Sequence, residues 1–201
     1  MAIALIEDDE AILRSLSMLL ESRGVAVRAY GSAESFLADV ESAPPQCVVS
    51  DIRMPGMSGL ELQRELKARA AAVPVILITG HGDIAMAVQA IKQGAFDFIE
   101  KPFDDERLVA SIAEALESGE RARVEQTERA ELEACVAQLS PRQVEVMHLV
   151  AEGFSNKEIA HRLNISPRTV ENYRAWVMEK MGASNLAKLV RKVIALTARR
   201  P

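Results

Sequence analysis

Residues 73–79 read Val-Pro-Val-Ile-Leu-Ile-Thr, an apolar run without polar alternation. A strand with one solvated face alternates apolar and polar side chains. One that does not alternate is buried on both faces, as in a parallel sheet between two layers of helices. Four more strand-like runs occupy 3–7, 25–30, 46–51 and 95–100. Between them the apolar spacing turns helical. Ile12, Leu13, Leu16, Leu19 and Leu20 mark a helix over 10–23, stopped by Gly24, and a short helix opens at Ser32 and reaches about residue 40. Leu60, Leu62 and Leu66 mark 58–69, Gly94 closes 83–93, and Leu108, Ile112, Ala115 and Leu116 follow Asp104. Five strands alternating with five helices predict a doubly wound α/β fold with right-handed crossovers. Ligands of such folds sit at the carboxyl edge of the sheet.

Chemistry gathers at those ends. Glu7 and Asp8 follow the first run, Asp51 ends the third, Thr79 ends the fourth and Lys101 follows the fifth. Asp51 opens into Ile52-Arg53-Met54-Pro55-Gly56-Met57-Ser58-Gly59, a loop rich in Pro and Gly. Carboxylates converging in a partly desolvated cleft repel and call for a cation; an all-oxygen set open to water suits Mg²⁺. With Lys101 and Thr79 opposite, the cleft can hold a dianionic phosphoryl group, and Asp51 is then the nucleophile that forms an acyl phosphate. Gly80 leaves room beside Thr79.

Charge divides the chain. Residues 1–120 hold 20 acids and 10 bases, a net of −10, whereas 138–201 hold 5 acids and 11 bases, a net of +6. Two domains with different partners follow, and the basic one points to nucleic acid. Residues 119–138 are polar and rich in helix formers, which predicts a helical linker. Val124, Leu132, Cys135, Val136 and Leu139 give that linker a narrow apolar stripe suited to self-association. From Ser140 no strand pattern recurs. Ser140-Pro141-Arg142-Gln143 and Ser155-Asn156-Lys157-Glu158 are capping boxes, Gly153 separates their helices, Asn164-Ile165 turns, and Ser166-Pro167 caps a helix to residue 181. A fourth helix follows Ser184. A capped basic helix joined to its predecessor by a short turn describes a helix-turn-helix.

No run is long enough to span a membrane, and the first residues lack the basic segment of a secretory leader, so no membrane association is expected. Cys47 and Cys135 read as free thiols of a reducing cytoplasm. His81, His148 and His161 lack metal-ligand spacing.

The front of the chain resembles the receiver domain of two-component response regulators, a flavodoxin-like fold, over residues 1–118. The resemblance rests on the acidic doublet after the first strand, on Asp51 with Met54-Pro55-Gly56, on Thr79, and on Lys101-Pro102-Phe103. It implies that Asp51 accepts a phosphoryl group from a sensor histidine kinase. It further implies that Asp8, Asp51 and the carbonyl of Arg53 bind Mg²⁺ with Glu7 acting through water, and that Thr79 and Lys101 meet the phosphoryl group. Asp9 is in line with the acidic set as well. Phe98 matches the switch aromatic, and the Lys101–Pro102 bond is expected cis. Dimerisation on phosphorylation, through the fourth helix, fifth strand and fifth helix, is the implied output.

Residues 139–201 resemble the LuxR-type four-helix DNA-binding domain through Leu139-Ser140-Pro141-Arg142, Gly153 to Ala160, and Ser166-Pro167-Arg168-Thr169-Val170-Glu171. Residues 173–181, with Ile78-Thr79-Gly80-His81-Gly82-Asp83, narrow the resemblance to the FixJ type. Ile159, Leu163, Val170, Tyr173 and Val177 have the spacing to pack the two helices of the motif together. Glu171, Asn172 and Ala175 then face outward as base-reading candidates. Arg174 could meet a base or a phosphate, and Ser155, Asn156, Lys157, Arg168, Thr169 and Lys180 are phosphate candidates. Trp176 reads as a core or interface residue. The expected function is a cytoplasmic response regulator and transcription factor. Its partners are a sensor kinase and promoter DNA, with RNA polymerase a further candidate. It is not an enzyme beyond slow self-phosphorylation and self-dephosphorylation at Asp51. Two other readings compete. A Mg²⁺-dependent phosphohydrolase of this chemistry often carries a second Asp two residues after the nucleophile, where this chain has Arg53. A DNA binder with a vestigial receiver does not explain an intact acidic set.

Overall fold

The computed structural model describes residues 2–69, 73–80 and 84–197. It divides into two compact units, 1–123 and 124–201. In the first, strands β1 (Ile3–Ile6), β2 (Val27–Tyr30), β3 (Val48–Asp51), β4 (Val75–Thr79) and β5 (Asp97–Glu100) form a parallel sheet in the order β2-β1-β3-β4-β5. Helices α1 (Glu10–Ser22), α2 (Ala33–Asp39), α3 (Gly59–Ala68), α4 (Ile84–Gln93) and α5 (Asp105–Ala137) alternate with the strands.

The unbroken apolar runs act as two-faced core. Ala4, Ile6, Val48 and Leu77 face one layer, with Phe36 of α2, Leu62 and Leu66 of α3 and Ala90 of α4. Ile3, Leu5, Val49, Ile76 and Ile78 face the other, with Leu16 and Leu20 of α1 and Leu108 and Ile112 of α5. This is the doubly wound architecture expected. The strands are shorter than the apolar runs, beginning at 27, 48, 75 and 97. Expectations placed on His81, Gly82 and Asp83, including the start of a helix at 83, lie outside the described residues.

The linker is helical, but it is not a separate element. α5 continues unbroken from Asp105 to Ala137. Its last turns also correct the apolar-stripe expectation. Leu132, Cys135 and Val136 pack on the core of the second unit, and Leu139 is buried there. Of that stripe, Val124 is the residue left prominently exposed.

The second unit holds α6 (Pro141–Ala151), α7 (Asn156–Leu163), α8 (Pro167–Lys180) and α9 (Leu186–Thr197). Both predicted capping boxes close reciprocally, at Ser140 with Gln143 and at Ser155 with Glu158. α7 ends at Asn164, whose φ of 53° is left-handed, a conformation Asn tolerates better than most side chains. Ser166 then caps α8 by accepting from the Thr169 N–H at 3.0 Å. Ile159, Val170 and Val177 are buried between the helices, with Leu163 and Tyr173 against them.

Candidate functional site

Strand register brings the sheet's reactive ends to one edge. Ile6 lies beside Ser50, Asp51 beside Ile78, and Thr79 beside Glu100, so Glu7, Asp51, Thr79 and Lys101 follow one another across four strands. The Lys101 N–H donates to the Thr79 carbonyl at 2.7 Å, fixing where the lysine leaves the sheet. Its ammonium then reaches back over the edge to Asp51 Oδ2 at 2.6 Å and Glu7 Oε2 at 2.7 Å. The other oxygen of Asp51 accepts from the Arg53 N–H at 2.8 Å. Asp51 and Glu7 are buried, Asp8 and Arg53 are exposed, and Thr79 is wholly enclosed. A Cβ placed on Gly80 would meet open space, as expected beside Thr79. The Lys101–Pro102 bond is cis.

Burial dominates the electrostatics of Glu7. It raises the carboxyl's pKa above the ordinary value, a rise that the Lys101 hydrogen bond opposes and the Asp51 charge reinforces. Burial acts on Lys101 in the opposite sense, but its bonds to Asp51 and Glu7 outweigh that, and its pKa is raised. Three carboxylates against one ammonium leave an excess of two negative charges at this edge. With Asp8, Asp51 and the Arg53 carbonyl all offering oxygen, the donor set fits a hard divalent cation that keeps part of its water shell. Among the described residues no three His, Cys, Asp or Glu side chains converge in ligating geometry, and both Glu7 and Asp51 are turned onto Lys101. Asp9, in line with the acidic set, is committed elsewhere. Its carboxylate caps α1, accepting from Ala11 and Ile12 at 2.8 and 3.1 Å. Phe98 is half-buried in β5 against the α2–α3–α4 layer.

Two residues that hold this site escaped the sequence reading. Glu34, at the start of α2, accepts from the Met57 N–H at 2.8 Å and so braces the loop behind Asp51. Gly59 lets the start of α3 lie against the end of β3. Glu34 gives no local signal, since its partner is 23 residues away. Gly59 does, as a glycine at a helix start.

In the second unit Glu171, Asn172 and Ala175 are exposed along α8, and Ser155, Lys157 and Arg168 are exposed as well. Arg174 turns from this surface to donate to Asn156 Oδ1 at 2.9 Å, tying α8 to the start of α7. Lys180 is exposed but has partners within the unit. Its ammonium lies 2.8 Å from the Gln138 carbonyl and 3.2 Å from Gln143 Oε1, at the far end of α8, and is a tether within the unit. Trp176 is not a core residue, because α8 turns it outward.

Residues 3–113 match the response regulator receiver domain, and residues 137–193 match the luxR family of bacterial regulatory proteins. The chain is 47% identical over 189 residues to the transcriptional regulatory protein FixJ of Bradyrhizobium diazoefficiens, covering 94% of this chain and 92% of that one. The chain is a two-component response regulator of the FixJ type. Among solved structures, the response regulator StyR superposes with a TM-score of 0.83 at 36% identity, covering 96% of this chain and 97% of its own. Full-length FixJ from B. japonicum matches at 45% identity with a TM-score of 0.61, over 97% and 96%. FixJ-type regulators are transcription factors that join a receiver to a LuxR-type DNA-binding domain, which implies a sensor kinase and promoter DNA as partners. They are not classical enzymes, and their receivers typically use Mg²⁺. No described helix is long and apolar enough to cross a membrane.

Proposed function

We propose that Asp51 is the phosphoacceptor and that its phosphorylation gates DNA binding by the second unit. The observation that carries this reading is the Lys101 ammonium bridging Asp51 and Glu7 at the carboxyl edge of the sheet. An Asp51 carboxylate oxygen attacks the phosphorus of a phosphohistidine on the sensor kinase. The P–N bond breaks, its electron pair returns to the imidazole, and an acyl phosphate forms on Asp51. Lys101 then exchanges a carboxylate partner for a phosphoryl oxygen. Asp8, Asp51 and the Arg53 carbonyl would hold Mg²⁺, with Glu7 acting through water. Bound there, the ion neutralises charge on the transferring group. Thr79, enclosed at the end of β4, supplies a hydroxyl toward the phosphoryl group, and Phe98 repacks with it. The same attack on small acyl phosphates gives self-phosphorylation. Attack by water on the phosphorus gives self-dephosphorylation.

The phosphoryl group shifts the population toward a form that dimerises through α4, β5 and α5. We assign 1–118 to the receiver, with a helical connector from 119 to 138 whose last turns pack on the DNA-binding domain, itself counted from 139 to 201. The first half of α8 enters the major groove with Glu171, Asn172 and Ala175 toward base edges. Ser155, Asn156, Lys157, Arg168 and Thr169 meet phosphates, and Arg174 positions Asn156. RNA polymerase is a further candidate partner, and the cytoplasm is the compartment that fits.

Selection of bound sequences from random duplex DNA, with and without acetyl phosphate and Mg²⁺, tests the whole reading. Wild type should enrich a two-fold motif only with both reagents, and Asp51→Asn should never do so. Equal enrichment by both proteins under all conditions would overturn gating by Asp51.

A further inference from the structure

Trp176 is the single tryptophan of the chain, and 47% of its surface is exposed. The geometry of α8 shows what it faces. At about 100° per residue, Arg168, Asn172, Ala175 and Glu179 fall on one stripe. Trp176 stands one turn beyond Asn172 and roughly 40° round from it. All five are exposed, whereas Val170 and Val177, on the opposite side, are buried. Tyr173 braces the indole with ring centroids 5.8 Å apart and planes tilted 52°. The largest apolar side chain of α8 therefore flanks Asn172, on the side away from Glu171, which lies about 140° round the helix from it, with a neighbour limiting its movement.

We infer that Trp176 is a specificity-determining residue that packs on the C5-methyl group of a thymine, two base pairs along from the base met by Asn172. The inference rests on the assignment of α8 as the base-reading helix. Four residues of helix rise about 6 Å, close to two base-pair steps of about 3.4 Å. The thymine methyl is the apolar feature that base pairs display in the major groove, and apolar side chains recognise it. A phosphate would be better met at this position by Lys or Arg. An indole gains little from the phosphate's charge and much from excluding water at a methyl.

The motif selected by phosphorylated wild type is resynthesised with each thymine replaced in turn by deoxyuridine. That change keeps base pairing and removes the methyl group. One replacement per half-site should weaken wild-type binding about three- to fivefold, the loss expected for one buried methyl. Trp176→Ala should bind the unmodified site more weakly and show no response to that replacement. Because Trp176 is exposed, the variant keeps its fold. Asn172→Ala should keep the uracil response while relaxing base preference two pairs away. If Asn172→Ala relaxes base preference while no replacement weakens wild type, or while Trp176→Ala responds as wild type does, this inference fails and the α8 assignment stands. If Asn172→Ala and Trp176→Ala both leave the motif and its uracil response unchanged, the α8 assignment fails and the inference falls with it.

Discussion

A Cβ at Gly59 would run into the Asp51 carbonyl oxygen and lie 3.1 Å from both Ile52 Cα and Ser50 Oγ. Two of these three are backbone atoms of the strand end that carries Asp51, the proposed phosphoacceptor, so relief requires that end to move. Gly59→Ala should destabilise the receiver by about 1–3 kcal/mol in urea unfolding and slow phosphorylation by acetyl phosphate. Unchanged unfolding and phosphorylation would show that α3 can retreat instead. The two thiols offer a second contrast. Burial pushes the Cys47 thiol up to about 12, whereas Cys135 is partly exposed. At pH 8 an aromatic disulfide reagent should titrate Cys135 alone, with Cys47 reacting only on unfolding. From pH 9 the unfolded Cys47 thiol loses its proton while the folded one keeps it. The unfolded state then binds fewer protons, and stability should fall as pH rises from 9 toward 12, by up to about 1.4 kcal/mol per pH unit from this group. Glu7, Asp51, Thr79 and Lys101 were legible in the sequence because each stands where an apolar run ends, a purely local signal. Glu34 and Lys180 were not, because their partners lie 23 and 42 residues away. For Trp176 the sequence left core and interface open, because an aromatic at helical spacing resembles core until the buried side of the helix is known; its exposure removes the core reading.

At the scale of elements, Lys180 separates two roles that a lysine in a last helical turn can play. As a phosphate contact it would add to the salt dependence of DNA binding; as a tether from α8 to the turn after α5 it would add to stability. Lys180→Ala should lower the stability of the second unit by about 1 kcal/mol and leave the salt slope unchanged. Arg168→Ala should reduce that slope by about 1 with little change in stability. A reduced slope for Lys180→Ala would restore the phosphate reading. Caps were the most legible features of these elements, since Ser140, Ser155 and Ser166 satisfy helix-end N–H groups through residues three positions on. Strand ends were less so. Residues just before β2, β3 and β4 continue the apolar pattern but make only scattered ladder bonds, such as Ile3 N–H to Ala26 O, Ala4 N–H to Cys47 O and Val48 N–H to Pro74 O. Hydropathy records burial there, not hydrogen-bond pairing. The end of α5 was misread for a related reason. Leu132, Cys135 and Val136 share a face, and a face of three apolar residues does not say which core covers it.

For the whole molecule, the decisive feature is that apolar clusters respect the boundary between the two units. Two clusters sandwich the sheet of the first, and among the described residues the third draws on those from Leu132 onward. Charge divides the same way, acidic in front and basic behind. A chain built like this can hold its DNA-reading surface intact while the receiver changes state, since among the described residues each core cluster is built from its own unit. Stability should therefore be separable, and the lone tryptophan makes the separation measurable, because Trp176 fluorescence reports only the second unit. Leu62→Ala empties a buried position of the receiver and should cost that unit about 2–5 kcal/mol. In unphosphorylated protein it should move the urea midpoint seen by far-UV circular dichroism and leave the fluorescence midpoint in place. Met147→Ala, buried in the third cluster, should move the fluorescence midpoint and the second unit's share of the circular-dichroism transition, leaving the receiver's share in place. If Leu62→Ala shifts the fluorescence midpoint as well, the units unfold as one cooperative block. Regulation would then have to act through shared stability, not through two independently folded parts whose association changes on phosphorylation.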